Sequence, residues 1–372
     1  MPSDVLRSAR GIAPGLSLAV LVAVLAYVAA GGIDALANGV GTPFSPVLLA
    51  LVFGILARNL LPFRTSLHAV IGRGVSFGMK QVLRSAIVLM GIRLSLTGVL
   101  QIGSVALQLV VICVAGGVLI TLAIAKLTDI PRSLAVLVTA GTSICGVSAV
   151  VALAPVIDAD EAQTSYAVAL VSLFGLLATV SYPYLVEIVL GFSAIQAGFF
   201  LGTAVHDTSQ VTGAAMIHDQ LWGRTSAGGL TVSEIALTVK LVRNTFLVAV
   251  IPLMGWWYRK RMPANSAEST RQVGAPTFPL FVVGYVAMAM VRSIGDVWSG
   301  GQVAGWISIT RSLAGAAECL ILVALACVGL HTEFRSLARL GAKPLLIGFT
   351  AAFAVGSISA LILSFISIPS IG

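Results

Sequence analysis

The sequence predicts an all-α polytopic membrane protein with about eleven membrane segments. Of its 372 residues, 58% are apolar and only 10% are charged, and the mean hydropathy is +1.02. Soluble domains carry about 25% charged residues, so this composition excludes a soluble globular protein. A span takes about 20 apolar residues, which leaves no room for a separate catalytic domain. We therefore expect residues 1–372 to form a single integral membrane domain.

The basic residues predict the orientation of the chain. Its net charge is +8, and the Lys and Arg residues lie mainly at the ends of apolar segments. By the positive-inside rule, the N-terminus and a polar linker at 262–276 are cytoplasmic and the C-terminus is external, in a cell inner (plasma) membrane. No basic run with interleaved aromatic residues is present, so we do not expect nucleic acid as a partner.

The apolar segments follow one another with short connections. The first, 16–30, is read as a retained span; a signal peptide is the alternative, because the small residues at 35–37 resemble a cleavage site. Glycines and basic residues at 64–84 predict a cytoplasmic loop or a surface-lying helix, and residues 296–311 predict an outer interfacial segment. The predicted membrane segments are 16–30, 46–61, 85–100, 104–125, 133–156, 164–190, 198–217, 234–258, 277–290, 313–330 and 344–368.

Small and hydroxyl residues interrupt the segment 133–156. Glycines this close together weaken a helix, and unwound backbone persists in a membrane only where it is buried in protein or lines a cavity. Such a segment is typical of a transporter's binding site, and a packing face between helices is the alternative. For its cysteine, the alternative is that it is a small buried apolar residue. The candidate substrate ligands here are Gly141, Thr142, Ser143, Cys145, Gly146 and Ser148.

A second interrupted segment, 198–217, carries polar residues in its middle. Such residues usually face a cavity or a partner and are functional, although an exposed loop between two short helices is the alternative. His206 and Asp207 are candidates for proton coupling, because an imidazole titrates near neutral pH. Further candidate substrate ligands are Thr203, Thr208, Ser209 and Gln210. Whether either interrupted segment crosses the membrane or doubles back is left open.

Lys240 and Arg243 are three residues apart and share a helix face in the first half of the segment 234–258. Snorkelling to the membrane surface is one interpretation. The other is that they face the bundle interior, where they attract an anion or pair with Asp207. Together with free N–H groups at the start of a half-helix, they favour a small oxyanion. Asn244 completes the candidate substrate ligands.

Two parts of the sequence resemble each other but differ in charge. Residues 88–103 resemble 326–341, and the preceding residues 53–58 resemble 287–292. The loop at the end of the first part has no Lys or Arg, whereas its counterpart has three, so the two are expected on opposite sides of the membrane. Similar segments of opposite orientation indicate inverted-topology repeats, which favour a secondary transporter over a receptor, an anchor or a membrane enzyme.

Three motifs resemble the YeiH-type family of bacterial inner-membrane proteins, which are proposed sulfate exporters. They are GTSICGVSAVVALAP at 141–155, GTAVHDTSQV at 202–211 and KLVRNT at 240–245. The resemblance runs from about residue 45 to the last span. It implies sulfate or a related sulfur oxyanion as the substrate. It also implies kinship with inverted-repeat carriers that use an elevator-type movement and usually form homodimers.

The sequence therefore predicts a secondary active transporter of a small, sulfate-like anion, coupled to H⁺ or Na⁺. A cation/proton antiporter that uses Asp207 and a passive anion channel are the alternatives. No residue constellation for hydrolysis, hydride transfer or nucleotide use is visible, so we expect no enzyme activity, no cofactor and no metal. The expected partners are the anion, the coupling ion, the lipid bilayer and a second copy of the chain.

Overall fold

Helices follow one another along the whole described chain. The computed structural model describes residues 2–36, 44–60, 65–127, 130–226, 228–260, 280–299, 303–333 and 342–365. Within these ranges the regular elements are helical, apart from one isolated bridge between Thr225 and Thr231. The helices are α1 (Pro2–Leu36), α2 (Pro46–Leu60), α3 (Thr65–Phe77, continued by a π turn Gly78–Val82), α4 (Leu83–Met90, continued by a 3-10 turn Gly91–Arg93), α5 (Leu96–Ala125), α6 (Arg132–Ser143), α7 (Val147–Leu153, continued by a 3-10 turn Ala154–Val156), α8 (Glu161–Tyr184, continued by a π turn Leu185–Val189), α9 (Ala194–Ala204), α10 (Thr208–Trp222), α11 (Val232–Thr245), α12 (Leu247–Lys260), α13 (Leu280–Ser299), α14 (Ala304–His331) and α15 (Ala342–Phe365).

Seven described helical stretches are long and apolar enough to cross a membrane, or eight if α11 and α12 form one bent span. This confirms a polytopic, membrane-embedded protein. The total of eleven segments and the single domain stay predictions, and the linker 262–276 lies outside the described residues. The seven stretches are Gly11–Leu36, Ile71–Arg93, Leu96–Ala125, Ala162–Val189, Leu280–Ser299, Ala304–His331 and Lys343–Phe365.

The basic connection at 64–84 was expected to be a loop or a surface-lying helix, and this expectation was wrong. α3 continues into α4 without a break, and Ile71–Arg93 is a candidate span. A Cβ atom on Gly74 would lie 2.2 Å from the carbonyl oxygen of Ile12 in α1. Glycine therefore permits close helix packing here, which the sequence alone does not distinguish from a loop.

The span expected at 85–100 is also divided differently. The preceding helix ends at Arg93, and α5 begins at Leu96. Ser95 lies just before α5, and its Oγ accepts a hydrogen bond from the backbone N–H of Gly98 (3.1 Å). A serine side chain that caps a helix start in this way fixes the boundary between the two helices.

The segment 234–258 was expected to be one span; in the structure Phe246 separates α11 from α12, which are bent by 42°. Beside the break, Thr245 Oγ1 donates to the carbonyl oxygen of Val242 (2.7 Å). Such side-chain hydrogen bonds compete with the backbone hydrogen bonds of the helix. The described parts of 296–311, expected at an interface, belong to the end of α13 and the start of α14.

The chain forms two compact units, and the first comprises Met1–Val99, Ala215–Arg224 and Leu280–Arg335. In this unit α1, α2 and the second half of α14 pack around an apolar core. Small residues of α1 at intervals of three and four face this core, which lets the helices approach closely. They are Ala19, Ala23, Ala26 and Ala30.

Two close contacts in the first unit lie at corresponding positions of the predicted sequence repeat. In the alignment of 88–103 with 326–341, Gly91 corresponds to Gly329. In the alignment of 53–58 with 287–292, extended by two residues, Leu51 corresponds to Tyr285. A Cβ atom on Gly91 would lie 2.3 Å from the carbonyl oxygen of Tyr285, and one on Gly329 would lie 2.3 Å from that of Leu51. Thus α4 packs on α13 as α14 packs on α2.

The second unit comprises Leu100–Ala214, Thr225–Pro279 and Ser336–Gly372. Its core is formed largely by apolar residues of α6, α7, α8 and α12. α9 lies close to α11, because a Cβ atom on Gly202 would be only 2.6 Å from the carbonyl oxygen of Ala236. This approach places the polar face of α11 beside the end of α9.

Candidate functional site

The first interruption lies between α6 and α7, in the second unit. Gly146 there has φ +70°, a left-handed conformation that favours glycine. A Cβ atom on Gly146 would lie 2.9 Å from Asp207 Oδ2 and 3.1 Å from Asp207 Cα. Glycine is therefore required at this position both by its backbone angle and by the close approach of the second interrupted segment.

The second interruption lies between Ala204, the end of α9, and Thr208, the start of α10. Asp207 Oδ1 accepts hydrogen bonds from the backbone N–H of Ser209 (3.0 Å) and from its hydroxyl (2.7 Å). The backbone N–H of Asp207 donates to Gln210 Oε1 (3.1 Å). These hydrogen bonds in both directions between Asp207 and the first turn of α10 resemble a capping box. They place a carboxylate at the positive end of the helix dipole of α10.

Lys240 of α11 joins the two interruptions. Its side chain is fully buried, and Nζ donates to the carbonyl oxygens of Ile144 (3.1 Å), Val205 (3.2 Å) and His206. An ammonium group has three N–H donors, so each of them has a carbonyl partner. Because Ile144 belongs to the first interruption and the other two residues to the second, one side chain holds both breaks together.

Arg243 lies one turn later and is also fully buried. Its Nε donates to the carbonyl oxygen of Ser143 (3.0 Å), and its Nη2 to that of Thr142. Its Nη1 donates to the carbonyl oxygens of Thr203 (2.6 Å) and Val205 (3.0 Å). The last carbonyls of a helix have no partner within it, and Arg243 supplies partners for those of α6 and α9.

The two buried cations therefore lie at the negative ends of two helix dipoles, where positive charge is stabilised. Neither Lys240 nor Arg243 forms an ion pair within 4 Å with a carboxylate of the described chain. Burying an ion costs several kcal/mol, and here carbonyl dipoles rather than a counter-ion offset that cost.

Buried polar atoms beside the interruptions have no hydrogen-bond partner in the described part of the chain. They are Ser143 Oγ, both ring nitrogens of His206, and Asn244 Oδ1. Ser143 and His206 are fully buried, and Asn244 is 4% exposed. Because buried polar atoms are nearly always paired, this group of unpaired atoms indicates a place for a ligand or for water.

Two other predicted ligands make side-chain contacts within the second unit. Thr203 Oγ1 shares a hydrogen bond with Ser359 Oγ of α15 (2.6 Å). Thr208 Oγ1 accepts one from Asn244 Nδ2 (3.1 Å). These contacts tie α9 to α15 and α10 to α11 next to the interruptions.

The rest of the predicted ligands lie in differing surroundings. Gln210 Nε2 donates to the carbonyl oxygen of Ser172 (3.2 Å), and a Cβ atom on Gly175 would lie 1.9 Å from Gln210 Oε1. Cys145 is buried at the first interruption, whereas Ser148 is exposed on α7. Of the predicted ligands, Ser148 is therefore the one whose exposure differs most from that of the group.

Three residues that the sequence analysis did not predict adjoin the site. Ser172 accepts from Gln210, Ser359 bonds to Thr203, and a Cβ atom on Gly117 of α5 would lie 3.0 Å from Ser143 Oγ. Ser172 takes part through its backbone carbonyl oxygen, so its residue type gives no signal; for Ser359 and Gly117 the signal is a Ser or Gly in an apolar helix. Such residues are common in membrane helices, so this signal does not separate them from ordinary packing positions.

The arrangement offers both donors and acceptors to a small polar ligand. A serine hydroxyl and an imidazole can donate or accept, and an amide oxygen accepts. Within the described ranges, no group of three or more His, Cys, Asp or Glu side chains could hold a metal ion.

Comparison with known proteins gives the family of the chain. The family model described as conserved hypothetical protein 698 matches residues 14–348. A UPF0324 membrane protein of Fusobacterium nucleatum is 30% identical over 86% of this chain and 89% of its own length. A UPF0324 membrane protein of Bacillus anthracis is 30% identical over 97% of this chain and 96% of its own. No solved structure matches the chain.

The resemblance carried by the three sequence motifs is thus confirmed across most of the chain. The names of these relatives state a membrane location and no substrate. The chain belongs to the conserved hypothetical protein 698 family, the YeiH-type or UPF0324 membrane proteins.

Proposed function

We propose that the chain is a secondary active transporter of a small anion, sulfate or a related sulfur oxyanion, coupled to H⁺ or Na⁺. One observation carries this proposal. Two interrupted helices meet where Gly146 contacts Asp207, beside the unpaired polar atoms of Ser143, His206 and Asn244. Interrupted helices that meet inside a membrane bundle are typical of secondary transporters. Membrane enzymes would need a catalytic constellation in addition.

The charges around the interruptions favour an anion. Lys240 and Arg243 bring two positive charges, and Asp207 brings one negative charge. Because the N–H groups of both cations are directed at backbone carbonyls, we assign them an indirect role, through their field and through the position of the two breaks. Direct contacts to the anion then fall to Ser143 and His206, which have unpaired atoms.

The coupling ion is assigned to His206 and Asp207. They are neighbours in sequence, the first buried with unpaired ring nitrogens and the second partly exposed with its Oδ2 against Gly146. A titratable pair of this kind beside an anion site can link the binding of the anion to that of a proton. Sodium binding at the Asp207 carboxylate is the other form of the same proposal.

Two observations support inverted repeats and an elevator-type movement. The paired contacts of Gly91 with Tyr285 and of Gly329 with Leu51 are those that a pseudo-two-fold repeat would produce. All candidate ligands lie in the second unit, so one compact body could carry the whole site. We also propose the inner membrane, a cytoplasmic N-terminus and an external C-terminus, as the basic residues indicate.

A cation/proton antiporter is the second candidate, favoured by the position of Asp207. Its Oδ2 lies at the contact between the two interruptions, where a cation would meet both broken helices. In that case Lys240 would act as a fixed competing charge. Retained sulfate binding in Asp207→Asn would count against this version.

The test is uptake of radiolabelled sulfate into proteoliposomes, with and without a pH gradient and a Na⁺ gradient. We expect gradient-dependent uptake that Ser143→Ala reduces at least tenfold, whereas Ser104→Ala, an exposed serine of α5, leaves it unchanged. Absence of sulfate uptake under every gradient would overturn the substrate assignment. Unitary currents across planar bilayers would instead show a passive channel.

A further inference from the structure

A buried threonine of α5 has a hydroxyl group with no hydrogen-bond partner in the described part of the chain. Thr121 is fully buried, and this group is its Oγ1. A threonine hydroxyl in a helix can bond to the carbonyl oxygen three or four residues earlier. Thr121 departs from this pattern, so its hydroxyl is available to another group. The other buried threonines of the described chain all form such a bond; they are Thr139, Thr142, Thr179, Thr203, Thr212, Thr238 and Thr310.

Thr121 lies on the face of α5 that adjoins the candidate site. Gly117 is one turn earlier on the same face, about 6 Å along the helix axis. A Cβ atom on Gly117 would lie 3.0 Å from Ser143 Oγ and 2.7 Å from Val355 Cγ2. A helical side chain leans toward the start of its helix, so that of Thr121 is directed back toward the turn of Gly117. The hydroxyl groups of Thr121 and Ser143 therefore approach the same turn of α5.

Helix α15 connects this face of α5 with the second interruption. Val355, which lies against Gly117, is one turn before Ser359. Ser359 Oγ shares a hydrogen bond with Thr203 Oγ1 (2.6 Å), and the carbonyl oxygen of Thr203 accepts one from Arg243. The face of α5 is thus a wall of the site that the interruptions form, and not a separate place in the second unit.

We propose that Thr121 is a further ligand of the anion, and that Thr121 and Ser143 donate to different oxygen atoms of a tetrahedral oxyanion. This role rests on the proposed function, which places the anion beside the two interruptions. The two hydroxyls do not bond to each other or to another described residue. A tetrahedral oxyanion has oxygen atoms that point in several directions, so it accepts from both at once. Hydrogen bonds to an ionised acceptor are about twice as strong as those between neutral groups, which offsets the cost of keeping two buried hydroxyls unpaired.

Substitution of Thr121 by Val separates binding from folding. Valine has nearly the shape of threonine, and removal of a buried hydroxyl that has no partner should not lower Tm. The KM for sulfate uptake into proteoliposomes should rise at least fivefold, whereas Thr121→Ser, which keeps the hydroxyl, should stay within twofold of the wild type. The control Thr310→Val removes a hydroxyl that bonds within α14 and should leave KM unchanged. A wild-type KM in Thr121→Val, or a lower Tm, would overturn the proposal.

Chemical labelling tests the wall without relying on transport. The background is a chain whose native cysteines are replaced by Ser; they are Cys113, Cys145, Cys319 and Cys327. In membrane fragments open on both sides, an anionic methanethiosulfonate should modify Thr121→Cys but not the buried control Thr310→Cys. Sulfate should slow this modification at least fivefold, and chloride at the same ionic strength should not.

The outcomes of labelling distinguish this role from the proposed function. No modification of Thr121→Cys, or a modification that sulfate does not slow, would refute Thr121 as a ligand. Protection by sulfate in a protein that takes up no sulfate would refute transport and keep Thr121 as an anion ligand.

Discussion

Replacement of Lys240 by Met tests whether this residue holds the two interrupted helices together. The ammonium group donates to three buried carbonyl oxygens. Leaving them unpaired costs about 1–3 kcal/mol each, or about 3–9 kcal/mol in total. Removal of the buried charge recovers several kcal/mol of desolvation cost. We therefore expect Lys240→Met to lower the free energy of unfolding by about 3 kcal/mol.

For a chain of this length, about 3 kcal/mol corresponds to a fall in Tm of about 4 °C. Thermal unfolding in detergent measures the fall, and sulfate uptake into proteoliposomes measures the effect on function, which should be lost. Lys126→Met, at the exposed end of α5, is the matched control and should change neither. If Lys240→Met matches the wild type in both measurements, Lys240 does not hold the interruptions together.

Three further predictions follow from the same geometry. Gly146→Ala should abolish uptake and lower stability by about 1–3 kcal/mol, because its φ is +70° and Asp207 leaves no space for a side chain. The control Gly229→Ala, with φ +76° and open surroundings, should lower stability alone. Equal losses of uptake in the two variants would show that contact with Asp207 does not matter. The free energy of unfolding of Asp207→Asn should lie within about 1 kcal/mol of that of the wild type, since Asn also caps helices. The variant should nevertheless lose gradient-dependent uptake. Unchanged uptake would show that Asp207 does not couple transport to the gradient. Gly91→Ala and Gly329→Ala should lower Tm by similar amounts, because each added Cβ atom would lie 2.3 Å from a carbonyl oxygen. Melting followed by circular dichroism measures both values of Tm. A large difference between them would contradict the predicted repeat.

The two interruptions were predictable from the sequence because their residue types are unusual in an apolar helix. Gly146 marks the first break, and the polar pair His206 and Asp207 marks the second. Both breaks lie where these residues do. Local chemistry is sufficient here, because weak helix formers and side-chain caps act on their own backbone within a few residues.

The roles of glycines and helix boundaries were less predictable. Gly74 was interpreted as part of a loop or a surface-lying helix, yet it forms a close contact between α3 and α1. The break at Phe246 was not predicted, since no Gly or Pro lies directly beside it. For Gly74 the sequence shows that the helix is weak or closely packed but does not show which of the two applies.

The sequence by itself determined that this chain is a helical membrane protein of the YeiH-type family with two interrupted helices, because hydropathy, charge position and helix-breaking residues are local properties. Only the tertiary structure decided what Lys240 and Arg243 contact. Lys240 reaches carbonyls 96 and 35 residues away in the chain, and Arg243 reaches others 100 and 40 residues away. Such bonds depend on how three helices meet in space, and no spacing within one helix encodes them.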